Sequence, residues 1–175
     1  MRSITTKALA LAWIAFVPSV SFAQAANDSG GAVRAETSDA AEAFARTAAV
    51  SGLYEVQASQ LALERSKDAA IREFAQIMIT DHTKADGELR QTAGTMTLPK
   101  TLDPPHQALI EALKAAGPNF DALYVEQQIA AHKEAVALFT GFSETGPNGA
   151  LRGLAAKLLP TLQHHQEMAG ALKPS

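Results

Sequence analysis

The chain reads as an all-α protein, a four-helix bundle with a short extra helix in the connection between the second and third long helices. Three observations carry this. Apolar residues recur at spacings of three and four over long stretches, Gly and Pro clusters separate those stretches, and no useful run of period-two alternation occurs in the 175 residues. Each apolar stripe must be buried against the others, and four such helices do so as a bundle. With 47% hydrophobic and 19% charged positions, the composition suits one ordinary domain.

The first residues have the pattern of a secretory signal. Arg2 and Lys7 precede an apolar run from Ala8 to Val17, and small residues follow at Ser21, Ala23 and Ala25. Residues 1–23 are therefore expected to be cleaved, which places the mature chain in the periplasm or outside the cell. No later segment is apolar enough to span a bilayer, so no transmembrane span is expected after cleavage. Residues 24–38, rich in Ala, Gly, Ser and Asn, are expected to form a flexible leader. The bundle is expected over residues 39–173.

Helix 1 is expected from Asp39 to Ser66, a window rich in Ala, Leu and Glu without proline. Ser66, Lys67 and Asp68 offer capping oxygens before helix 2, whose stripe is Ile71, Phe74, Ala75, Met78, His82, Ala85 and Leu89. Gly94 ends it. The connection carries Pro99, Pro104 and Pro105 and a short helix around Gln107 to Ala115. Asn119 is the expected cap of helix 3, with Val125, Ile129, His132, Val136 and Phe139 on one stripe until Gly141. Helix 4 is expected from Ala150 to Leu172, with Pro160 producing a kink, because the stripe stays in phase on both sides.

Three histidines, His82, His132 and His165, occupy stripe positions that leucine would fill in a plain bundle. His106 lies in the connection, and His164 points about 100° away from His165, so both are expected to face solvent. On helix 1, Glu55 is in phase with the small residues Ala48, Ser51, Ala58, Ser59 and Ala62. A buried glutamate requires a cation, a proton or a partner. All four groups lie near the midpoints of their helices, so they fall in one layer whichever way the helices run.

This points to a metal site of one carboxylate and three imidazoles, Glu55, His82, His132 and His165, holding one transition-metal ion. Zinc, copper and iron all fit; thioethers at Met78 and Met168 on the same stripes would favour copper, and the carboxylate zinc or iron. Asp81 and Asp86 are candidates to orient an imidazole. The competing reading is an unliganded layer in which Glu55 accepts hydrogen bonds from protonated histidine and sets helix register, leaving the bundle as a module for an unidentified envelope partner. An enzyme would require an open coordination position and a cleft, and the sequence marks neither; Tyr124 and Asp121 are the only other polar candidates.

Several classes are excluded by composition. A formal charge of −3 with scattered Lys and Arg provides no footprint for nucleic acid. The absence of cysteine removes thiolate nucleophiles, zinc knuckles, iron–sulfur clusters and disulfides. Phosphate-cradling glycine loops and serine-hydrolase motifs are missing.

Taken in order, Glu55, the Asp81-His82-Thr83 segment, Phe120-Asp121 with Tyr124 and then His132, and Leu159-Pro160 with His165 resemble the pattern of a bacterial exported family, domain of unknown function 4142. The resemblance runs from about Ala40 to Leu172. It implies a ferritin-like fold, with a crossover that leaves helices 2 and 3 parallel, and implies no particular activity. Ferritin-like di-iron centres pair Glu-x-x-His on two helices. Here the residues three before His82, His132 and His165 are Ile79, Ile129 and Leu162, which disfavours a di-iron centre.

Overall fold

The structure, a computed structural model, describes residues 26–173, with side chains from residue 38 onward. It is all-α. Five helices occur, α1 (Ala26–Arg65), α2 (Ala69–Ala93), α3 (Pro104–Ala115), α4 (Phe120–Thr145) and α5 (Gly149–Ala171), with a longer connection between α2 and α3 than between the others, and no strand occurs among the described residues. The signal segment and its cleavage site lie outside the described residues. No helix among them is long and apolar enough to cross a membrane.

Helix starts follow local chemistry. Asp68 caps α2, its carboxylate accepting from the backbone N–H groups of Ala70 and Ile71 at 2.9 and 3.2 Å. Such a cap contributes about 1 kcal/mol. Asp103 accepts from His106 N–H, with Pro104 and Pro105 in the first turn of α3, where their missing N–H groups cost nothing. Asn148 caps α5 through Ala150 and Leu151. Two glycines supply the left-handed backbone that ends helical segments, Gly94 at φ 61° after α2 and Gly117 at φ 54° after α3.

Three boundaries differ from expectation. Helix α1 begins at Ala26, taking in residues 26–38 that were expected as a leader. No proline interrupts this stretch, and extending an existing helix fixes one residue per added bond, which is far easier than nucleation. Asn119 makes no side-chain cap bond; a 3-10 turn, Gly117–Asn119, feeds straight into α4. Helix α4 passes through Gly141 to Thr145, because Phe142 stacks on Phe44 of α1 at 3.8 Å between centroids and Gly146 N–H closes on the Phe142 carbonyl. That packing outweighs the roughly 1 kcal/mol cost of a helical glycine. Pro160 lies inside α5, and the helix continues on both sides of it.

The four long helices form a ring. α1 packs on α2 and α4, and α5 packs on α4 and α2, while α3 lies against α1 and α4. Two apolar clusters fill the interior. One joins Ala41, Phe44 and Ala45 of α1 with Leu89 late in α2, Phe139 late in α4 and Leu151 early in α5. The other joins Tyr54, Ala58 and Ala62 with Phe74 early in α2, Tyr124 early in α4 and Ala169 late in α5. Hence α2 and α4 run in the same direction, and the segment containing α3 carries the chain back along the bundle. A ferritin-like bundle has one crossover of this kind.

Candidate metal centre

Between the two apolar clusters lies a polar layer. Glu55, His82, His132 and His165 are all buried, at 2%, 8%, 1% and 1% exposure. Their placement follows from the helical phases: each sits between apolar residues of its own stripe, such as Leu162 and Ala169 around His165. His164, its neighbour, is exposed as expected. His106 is a correction. It is half-buried, its Nδ1 is 2.6 Å from the Asp103 carboxylate and its ring lies 5.5 Å from that of Tyr54, because α3 folds back onto α1.

The three imidazoles converge. Their ring centroids are 5.5 to 5.7 Å apart, and one nitrogen from each lies within 4.8 Å of the others. An ion bound at ~2.0 to 2.1 Å requires each ring to move inward by roughly 1 Å at most. Two rings are already oriented. His132 Nδ1–H donates to the Gln128 backbone carbonyl at 2.9 Å, so Nε2 carries the lone pair. His165 Nε2–H donates to Asp81 Oδ2 at 2.9 Å, so Nδ1 carries it. These nitrogens, His132 Nε2 and His165 Nδ1, together with His82 Nε2, are buried and have no hydrogen-bond partner. The arrangement has the form of metal-ligating histidines whose second nitrogen is fixed by a carbonyl or carboxylate.

Glu55 stands apart from that group. The mutually close donors are the three imidazoles, and the glutamate approaches His132 from the outer side, Oε1 lying 3.9 Å from Nδ1, the nitrogen already engaged by Gln128. It belongs to a second polar set that sequence reasoning missed. Tyr54 donates to Gln127 at 2.9 Å, Ser59 and Tyr124 share a hydrogen bond at 2.9 Å, and Gln128 is fully buried beside them. Tyr54 and Gln127 are buried although they lie off the expected stripes of their helices, and only the abundance of amide and hydroxyl groups on α1 and α4 signalled such a layer.

Burial sets the protonation states. It holds His82 well below its ordinary range, with His132 and His165 nearby adding to the effect. His132 is lowered to about 4 by burial, against the opposing bond to Gln128. His165 is lowered by burial although Asp81 works the other way. Glu55 is pushed up to about 8, again by burial, with the Gln128 side chain opposing. At neutral pH the layer thus holds neutral imidazoles and a protonated carboxyl. Geometry weakens the register reading, which needs protonated histidine bonded to an ionised Glu55: Oε1 is 3.9 Å from His132 Nδ1, which already donates to Gln128.

The other candidates resolve individually. Asp81 orients His165 on the neighbouring helix α5; Asp86 pairs with Arg90 at 2.8 Å and keeps Oδ1 buried without a partner. Met78 and Met168 pack in the apolar cluster around Phe74. Tyr124 is fully buried, and Asp121 lies in the first turn of α4, where a negative charge suits the helix dipole. Ile129, three before His132 and expected on the buried stripe, is instead 41% exposed, and Leu162 packs in the core; neither side chain offers a donor atom for a bridging ligand. A di-iron carboxylate centre does not fit these residues.

The family described as Domain of unknown function (DUF4142) matches residues 26–172, from the start of α1 through the end of α5. The chain belongs to the DUF4142 family. All four residues of the polar layer fall within the matched span of this DUF4142 domain. No curated protein and no solved structure matches the chain.

Proposed function

We propose that this DUF4142 bundle is an exported metal-binding protein that holds one transition-metal ion on His82, His132 and His165. The observation that carries the reading is the convergence of three neutral imidazoles whose inward nitrogens are buried and unpartnered. Two acceptors, His132 Nε2 and His165 Nδ1, and the unpartnered Nε2 of His82 in an apolar interior are costly, since each unsatisfied buried polar atom costs about 1–3 kcal/mol. A shared cation relieves all three at once. Neutral imidazole is the donor form, so burial that costs these histidines their charge leaves them ready to ligate.

Imidazole suits zinc, copper and iron, and the carboxyl of Glu55 behind His132 supplies negative charge to the layer once it loses its proton. Export is supported by the ordered charged, apolar and small-residue segments at the amino terminus. Thermal melts of metal-free protein with added zinc or cuprous ion test the binding reading. The midpoint is expected to rise with metal and return with chelator, since a ligand that binds only the folded state stabilises it. Melts insensitive to every metal and to chelator overturn it.

A further inference from the structure

We propose that an ion held by His82, His132 and His165 takes its remaining ligand from a small cavity beside it. That ligand is water or hydroxide at rest, exchangeable for other molecules of a few heavy atoms. This inference rests on the metal reading above and adds to it a site for an external ligand.

Three imidazoles supply three donors, and a four-coordinate ion needs one more. The surroundings of the triad are unequal. On the side of His132 lie Glu55, 3.9 Å from its Nδ1, and Gln128, whose backbone carbonyl holds that nitrogen; both residues are buried. On the side of His82 and His165 a cavity of about 60 Å³ opens, and both of these histidines line it. With Glu55 turned to the outward nitrogen of His132, the cavity bordered by the rings of His82 and His165 is the open space next to the triad, and the further donor is taken to come from there.

Its walls define the ligand class. Ala48, Ser51 and Gly52 of α1 and Ala85 of α2 keep the space open, and Leu89 and Phe139 make it apolar. One water needs about 10–15 Å³ on a comparable measure, so a ligand of a few heavy atoms fits. Asp86 also lines the cavity. Its Oδ2 holds Arg90 at 2.8 Å, and its Oδ1 is buried with no partner, an acceptor for a ligand that carries a proton. Water, hydroxide and hydrogen peroxide meet these terms of size and hydrogen bonding.

Gly52 provides the means of testing it. A Cβ at this position meets no atom within 4 Å, so a larger side chain can be introduced on the cavity wall without a backbone clash. The experiment loads metal-free wild type, Gly52→Leu and Glu55→Gln with cobalt(II), whose visible bands report coordination, and titrates each with azide as a three-atom probe. Wild type is expected to retain cobalt and to show a saturable band shift with azide. Gly52→Leu is expected to retain cobalt and to need at least tenfold more azide. Cobalt retained by wild type with no azide response overturns the inference and leaves the metal reading standing. An azide response that appears only in Glu55→Gln also overturns it, by making Glu55 the fourth ligand. Equal responses in wild type and Gly52→Leu place azide outside the cavity and count against it. Failure of wild type to retain cobalt brings down the metal reading and this inference together.

Discussion

Asp81 on α2 accepts a hydrogen bond from Nε2 of His165 on α5 at 2.9 Å, across 84 residues of sequence. The bond fixes which nitrogen of His165 faces the bundle interior, so the carboxylate acts on the candidate metal centre without touching it. Asp81 is half-exposed while His165 is buried, which lets the pair form without burying a full charge.

Asp81→Ala is expected to weaken metal affinity by about 10- to 100-fold, the usual effect of removing a group that orients a ligating imidazole. Its fold is expected to persist, since the carboxylate lies at the bundle surface. Isothermal titration with zinc or copper checks this, and an unchanged affinity shows that His165 needs no such support.

The adjacent pair His164 and His165 provides an internal control. His165→Ala is expected to abolish stoichiometric binding, and His164→Ala, at an exposed position, to leave binding intact and stability within about 0.5 kcal/mol of wild type. Equal losses in both variants would point to adventitious surface binding.

A pH dependence follows from the buried layer. The histidines have folded pKa values below the ordinary 6.5, His132 at about 4, so their contribution to stability is complete above about 6.5 and is lost as pH falls toward 4. Glu55 has a folded value raised from 4.5 to about 8, so its contribution is present below 4.5 and is lost as pH rises to 8. Three groups outweigh one on the acid side, and Glu55 acts alone above 6.5. Metal-free wild type is therefore expected to be most stable at about pH 6 to 7, and Glu55→Gln to lose the decline toward about pH 8. Denaturant midpoints measured for both proteins check the sign; parallel declines above pH 7 would show that Glu55 is not the group responsible.

Much of this architecture was legible from spacing alone. The 100° step between neighbours separated His165 from His164, and midpoint positions placed the histidines at one depth. The buried phase of Glu55 was legible too, but its offset toward Tyr54 and Gln128 was not, because phase determines a face and leaves depth uncertain by a turn. The Asp81–His165 bond was hidden for another reason: it joins two helices whose relative rotation depends on packing of the whole ring. The fold-back of α3 that brings His106 to Tyr54, and the early start of α1, depend likewise on tertiary contact and on helix propagation. No local cap marks either.

Export has its own expected outcome. Amino-terminal sequencing of the mature protein is expected to begin at Gln24 or Ala26, and loss of Trp13 with the signal is expected to leave no tryptophan fluorescence. Residue 1 on the mature chain contradicts this.

Metal content of untagged mature protein, purified from the periplasm and analysed for all transition elements, tests the metal centre most directly. About one zinc, copper or iron per chain is expected in wild type, and almost none in a variant with His82, His132 and His165 all replaced by alanine. Wild type free of metal, with no ion retained after incubation and desalting, or a triple variant that holds as much as wild type, would contradict a metal centre at these three histidines.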